Sequence, residues 1–201
     1  MAVNVAISGF GRIGRLVLRS IIESKRKDIN VVAINDLAPV DTNAFLLAND
    51  TVHGPLNEKI SVKKNKMTIG RKTISVLNER DPQKLPWKKM KIDVALECTG
   101  LFTSKEKASM HIKAGARKVL VSAPCSEADK TIVYGVNEQE ITRNDLVVSN
   151  ASCTTNCLAP VVKVLHEKFG IVHGYMTTIH AFTGDHSVLD TFHPDLRRAR
   201  A

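Results

Sequence analysis

Val3-Asn4-Val5-Ala6-Ile7-Ser8-Gly9-Phe10-Gly11-Arg12-Ile13-Gly14 is the stretch that decides the fold. An apolar, strand-like run passes at once into G-x-G-x-x-G, and Ile13, Leu16, Val17, Ser20 and Ile21 then recur at helical spacing. Strand, glycine loop and helix in that order open a dinucleotide-binding unit. The first glycine makes the tight turn, the second lets a pyrophosphate approach the backbone, and the third lets helix pack on strand. The helix N-terminus supplies the anion site. Gly9, Gly11, Arg12, Ile13 and Gly14 are therefore read as cofactor-binding residues. Glycine turns also serve purely structural ends, so the next segment matters. A second apolar run, Asn30 to Asn35, ends in Asp36, roughly 20 residues beyond the loop, where a carboxylate accepts hydrogen bonds from ribose hydroxyls. Such a carboxylate repels a 2′-phosphate, which favours NAD over NADP.

Working outward, further strands are expected at Ile92 to Glu97, Lys118 to Ser122, Thr131 to Tyr134 and Leu146 to Ser149, with a helix from Thr103 to Ala114. The alternation predicts an α/β fold with a doubly wound, mostly parallel sheet. Ile60 to Leu77 reads as an inserted antiparallel pair with bends near Lys64-Asn65-Lys66 and Gly70-Arg71-Lys72. In such sheets ligands bind beyond the carboxyl ends of the strands.

The chain has 201 residues, 43% hydrophobic content and a formal charge of +9. No run of about 18 uncharged apolar residues offers a membrane span, and no signal-peptide pattern opens the chain, so a cytoplasmic location is expected. Cys98, Cys125, Cys153 and Cys157 are expected to be reduced thiols, and the Cys153/Cys157 spacing lacks a second ligand pair for zinc. The charge concentrates at Lys63, Lys64, Lys66, Arg71 and Lys72 and again at Lys84, Lys88, Lys89 and Lys91. These positions alternate with apolar residues such as Ile60, Val62, Met67, Ile69 and Ile74, as on the solvated face of a hairpin. That reading is preferred to a nucleic-acid surface, and a positive field also steers small anions.

Ser149-Asn150-Ala151-Ser152-Cys153-Thr154-Thr155-Asn156-Cys157 sets a cysteine among small polar residues where a helix should begin. Leu158, Val161, Val162, Leu165 and Phe169 give that helix its apolar positions and Gly170 its stop. Unsatisfied N–H groups and the helix dipole at the mouth favour a thiolate at Cys153, the nucleophilic form. Cys157, one turn inside, is read as a small core residue, and Cys98 and Cys125 as structural. Ile171 to Ala181 is expected as a strand that delivers His180, a base for an activated thiol, although a lone histidine in a strand is more often a hydrogen-bonded structural residue.

The nonapeptide, the glycine loop and the His180 segment together resemble the phosphorylating, NAD-dependent glyceraldehyde-3-phosphate dehydrogenases, and the resemblance runs from the glycine loop to Asp195-Leu196-Arg197-Arg198-Ala199-Arg200. It implies residues 1–151 as a Rossmann-type NAD-binding domain and 152–201 as the start of an α+β catalytic domain. It implies catalytic roles for Cys153 and His180. It adds Arg80, in Asn78-Glu79-Arg80-Asp81-Pro82, on the adenine side. Thr99 and Ser122, in Glu97-Cys98-Thr99-Gly100 and Val121-Ser122-Ala123-Pro124, fall beside the nicotinamide half. Leu37 after Asp36 goes with NAD. Ser152, Cys153, Thr154, Thr183 and Arg198 would hold glyceraldehyde 3-phosphate and inorganic phosphate, in a homotetramer.

Family members are longer, so the resemblance also implies a fragment without most of its catalytic sheet, one that keeps some NAD affinity and loses most turnover. Two other readings stay open. One is oxidation of erythrose 4-phosphate by the related dehydrogenase, and the other is an inactive NAD- or polyanion-binding module.

Overall fold

The computed structural model describes residues 2–183. Its elements run β1 (Val3–Ser8), α1 (Arg12–Glu23), β2 (Ile29–Asn35), α2 (Val40–Ala48), β3 (Asn49–Asp50), β4 (Gly54–Pro55), β5 (Ile60–Lys63), β6 (Lys66–Ile69), β7 (Lys72–Leu77), α3 (Trp87–Met90), β8 (Val94–Glu97), α4 (Lys105–Ala108), α5 (Met110–Lys113), β9 (Lys118–Val121), β10 (Lys130–Thr131), β11 (Val147–Ser149) and α6 (Cys153–Phe169).

β1 is the axis of the sheet. It pairs in parallel with β2, from Val3 opposite Ile29 to Ser8 opposite Asn35, and with β8, from Val5 opposite Val94 to Ser8 opposite Glu97. A strand flanked on both sides and covered on both faces must be apolar throughout, which is why Val5, Ala6 and Ile7 follow without alternation. Among the described residues the large sheet has the order β10-β11-β9-β8-β1-β2-β7-β6-β5. Within it, β7-β2-β1-β8-β9-β11 is the 3-2-1-4-5-6 order of a dinucleotide-binding sheet, so the order reverses between β1 and β8.

The pleat divides the core. Val5 and Ile7 pack with Leu18 of α1 and Ala44 and Leu47 of α2. Ala6, Ala33 and Ala95 point the other way, onto Trp87 of α3 and Ala114. Val119, in register with Ala95, meets Ala108 of α4 on that same face. Helices therefore cover both faces, and the sheet is doubly wound as expected. No helix among the described residues is long and apolar enough to cross a membrane.

Several sequence expectations are corrected. The inserted pair over Ile60 to Leu77 is three strands: β5, β6 and β7 form an antiparallel meander, and β7 also joins β2 in parallel. Its bends fall where expected, and Lys63, Lys64, Lys66, Arg71 and Lys72 are exposed over buried Met67, Ile69 and Ile74. The second basic cluster is exposed too, but on α3 and the turn before it rather than on a hairpin.

The helix expected from Thr103 to Ala114 is two short pieces. Ser109 lies at their junction, its hydroxyl donating back to the Lys105 carbonyl at 2.6 Å, a side-chain bond that competes with regular helix. The strand expected from Thr131 to Tyr134 shrinks to β10, because Asn137 Oδ1 accepts the Val133 N–H at 2.9 Å and its amide donates to the Thr131 carbonyl at 3.1 Å.

The chain divides within α6, between Val164 and Leu165, into two units. In the second unit, Gly170 ends α6 at φ +69°, donating its N–H to the His166 carbonyl at 2.9 Å in the left-handed conformation that glycine adopts without strain. The strand expected over Ile171 to Ala181 is not formed, since no described strand pairs with this exposed segment and a strand exists only through its ladder. The buried Cys157 expected inside α6 is exposed, and no residue of that helix is buried.

Candidate functional site

The carboxyl ends of β1, β2, β8, β9 and β11 gather the sequence-marked residues of the first unit. Gly9 takes φ +86°, and a β-carbon there would lie 2.6 Å from the Thr99 backbone nitrogen. One on Gly14 would lie 2.1 Å from the Gly9 carbonyl oxygen. These two glycines are demanded by close approach, loop against β8 turn and helix against loop. Gly11 differs, since a β-carbon there meets nothing within 4 Å. The space over Gly11 and the first turn of α1 is thus open to a group that needs bare backbone and N–H donors, which is what a pyrophosphate needs. On this ground the loop fits a dinucleotide.

Asp36 does more than its sequence reading assigned. Oδ2 accepts the Phe10 N–H at 2.6 Å and Oδ1 the Ala38 N–H at 2.8 Å, so the carboxylate ties the glycine loop to the end of β2. Each oxygen keeps a second lone pair for a ribose hydroxyl. Arg12 turns to Asp50 across 2.7 Å. The His53 N–H, with Arg12 and the Val52 N–H behind it, holds the Asp50 carboxyl down to about 2. Arg80 is exposed beyond β7, in a turn fixed by Asn35, whose side chain both donates to the Glu79 carbonyl and accepts the Glu79 N–H at 2.9 Å. Leu37 is exposed.

A cavity of about 450 Å³ opens between α1 and the start of α6, with Ile13, Cys98, Ser122, Asn150, Cys153 and Asn156 on its walls. It lies within the size range of small-molecule sites. Two of its wall residues, Asn150 and Asn156, had no signal in the sequence beyond their place in the nonapeptide. The Asn156 amide donates to the Asn150 carbonyl at 2.7 Å and to the Ser152 carbonyl at 2.9 Å, which clamps the turn into α6. Ala151 occupies that turn at φ +56°, a left-handed conformation costly for alanine. Ser152 caps the helix, its hydroxyl accepting the Thr155 N–H at 3.0 Å. Thr154 follows, half-buried.

Cys153 is exposed at the mouth of the 17-residue helix α6, where the dipole favours an anion. Cys98 is its opposite: burial pushes that thiol up to about 11, against a Ser122 hydrogen bond that lowers it, and so it stays protonated. The cavity is thus lined by one exposed cysteine at a helix mouth and one half-buried cysteine held as the thiol.

Within the second unit His180 is exposed, with Nδ1 donating to the Ala181 carbonyl at 2.6 Å. Thr183 is exposed in the same segment, and Arg198 lies outside the described residues.

Comparison with known proteins adds to this geometry. Residues 3–105 match the family described as glyceraldehyde 3-phosphate dehydrogenase, NAD binding domain, and residues 152–201 its C-terminal domain. The chain is 60% identical, over all 201 residues, to glyceraldehyde-3-phosphate dehydrogenases of Xanthobacter flavus and Cereibacter sphaeroides, covering 60% of each. It is 53% identical over 202 aligned residues to that of Geobacillus stearothermophilus, again covering all of this chain and 60% of the relative. The chain thus spans 60% of the length of these curated relatives.

Proposed function

The chain belongs to the glyceraldehyde 3-phosphate dehydrogenase family, and from that premise we propose that the protein oxidises glyceraldehyde 3-phosphate to 1,3-bisphosphoglycerate, with NAD and inorganic phosphate, through a thioester on Cys153. The observation that carries the reading is the position of Cys153, at the N-terminus of α6 and lining one cavity with Ser122 and Asn150. Gly9, Gly11, Arg12, Ile13 and Gly14 would hold the cofactor's pyrophosphate, Asp36 the ribose, Arg80 the adenine side, and Thr99 and Ser122 the nicotinamide side. Bound there, NAD would supply the hydride acceptor.

The remaining chemistry falls to the chain's own groups. Cys153 Sγ, as the thiolate favoured by the helix mouth, adds to the aldehyde carbon, His180 having taken the thiol proton. Loss of hydride from that carbon leaves a thioester. Phosphate oxygen then adds to the thioester carbonyl, the C–S bond breaks, and the Cys153 thiolate is restored as the acyl phosphate departs. Base participation of this kind is worth about 10² to 10⁴ in rate. Ser152, Thr154, Thr183 and Arg198 would hold substrate and phosphate oxygens, Arg198 through its planar fork. A homotetramer in the cytoplasm, with the cofactor domain at residues 1–151 and the catalytic domain opening at 152, belongs to the same proposal.

The test follows NADH formation by absorbance with glyceraldehyde 3-phosphate, NAD and phosphate. Turnover that requires phosphate and vanishes in Cys153→Ser is expected. Faster turnover of erythrose 4-phosphate, or turnover indifferent to phosphate, would overturn the substrate assignment.

A further inference from the structure

Under the turn that carries Thr99 lies a polar chain sealed from water. The Trp87 and His111 side chains are fully buried, and Glu97 is 1% exposed. Trp87 Nε1–H donates to His111 Nδ1 at 3.0 Å, and His111 Nε2 meets Glu97 Oε2 at 2.9 Å. The second oxygen, Oε1, accepts the Thr99 N–H at 2.7 Å and the Thr99 hydroxyl as well. Phe102 closes the pocket edge-on to His111, ring centroids 6.4 Å apart.

The tautomer follows from the partners. An indole nitrogen can only donate, so His111 Nδ1 must be bare and the ring proton sits on Nε2, donated to Glu97. Both Glu97 oxygens are therefore acceptors with separate duties, one toward His111 and one toward Thr99. The three side chains come from α3, α5 and the end of β8, so two helices on one face of the sheet are latched to the strand end at its switch point. Buried polar sets of this kind add little stability over a well-packed apolar trio. What they add is direction. Here the thing directed is the Thr99 backbone, against which Gly9 packs with no room for a β-carbon. A small displacement of Thr99 would press on the glycine loop or leave it loose.

We propose that Trp87, His111 and Glu97 are positioning residues for the cofactor site, fixing the Thr99 turn against the glycine loop at the spacing NAD requires. The proposal rests on the NAD-binding reading above. Glu97→Gln tests it, because an amide offers one acceptor oxygen where the carboxylate offers two, so either His111 or Thr99 is left facing a donor. NAD affinity of the folded variant, measured by calorimetry, should fall about tenfold, the scale of one lost hydrogen bond. Trp87→Phe in the native background should weaken NAD a few-fold by unlatching His111. The same Trp87→Phe added to Glu97→Gln should strengthen binding, since His111 can then move its proton to Nδ1 and accept the new amide at Nε2.

That reversal of sign is the signature a merely structural role would not produce. An unsubstituted protein that fails to bind NAD would overturn the functional reading itself. A protein that binds NAD while folded Glu97→Gln binds it equally well would overturn the positioning role alone. Should Glu97→Gln not fold, unchanged affinity in Trp87→Phe would do the same.

Discussion

Gly11 and Gly14 share one loop yet answer to different constraints, and substitution separates them. A β-carbon on Gly11 enters open space, so Gly11→Ala should fold and lose only what alanine costs at the N-cap of α1, about 1 kcal/mol or less. The same methyl stands where a pyrophosphate would meet the backbone, and NAD affinity should fall about tenfold or more. A β-carbon on Gly14 runs into the Gly9 carbonyl at 2.1 Å, and overpacking of that kind costs about 3 kcal/mol. Gly14→Ala should therefore melt markedly lower before any ligand is added. Thermal unfolding and NAD titration of the two variants check the pair; equal losses of stability would contradict the geometry. Asp36 carries the same lesson, since its spacing marked it for a ribose while its hydrogen bonds to Phe10 and Ala38 also make it the pin between loop and β2.

At the scale of elements, what was legible was what is local. β1, α1 and β2 follow from a continuous apolar run, a glycine signature and a helical period, all contained in neighbouring residues. α6 was legible for the same reason, with Ser152 before it and Gly170 after it. The cap itself is testable. Ser152→Ala removes the acceptor of the Thr155 N–H, a loss of about 1 kcal/mol for a helix cap. Because α6 buries none of its residues, the effect should emerge as local opening rather than a lower melting point. Amide exchange at Thr155 and Asn156 should quicken about fivefold, as 1 kcal/mol implies; unchanged exchange would show that the hydroxyl does not hold the helix. What was not legible depends on distant partners. β7 belongs to the main sheet because β2 lies beside it. The helix after Thr103 breaks because one serine bonds backward. Ile171 to Ala181 has a strand's residues without a described strand to pair with. The Trp87, His111 and Glu97 set left no trace in spacing, because its members come from three separate elements.

For the whole molecule, the question is where the cofactor domain ends. Contact density divides the chain inside α6 at Val164, whereas the match to the C-terminal domain family begins at residue 152. The three apolar clusters favour the earlier boundary, for their buried members run from Val5 to Val147 and include nothing from α6. The parallel ladder also closes before it, with β11 pairing to β9 and β10 through Ser149. A chain ending at Ala151 should therefore keep the core, both helical layers and the glycine loop with its Asp36 pin. It would lose only the α6 wall of the cavity, Cys153 and Asn156 included. Such a chain is expected to unfold in one cooperative transition and to bind NAD within a few-fold of the longer one, because the residues proposed to hold pyrophosphate, ribose and adenine all lie upstream of the cut. Circular dichroism with calorimetric NAD titration reads both properties. A truncated chain that folds but loses NAD affinity a hundredfold would mean that α6 carries cofactor contacts the glycine loop cannot supply. One that fails to fold would place the boundary at Val164 and make α6 part of the first domain's stability, despite its unburied surface.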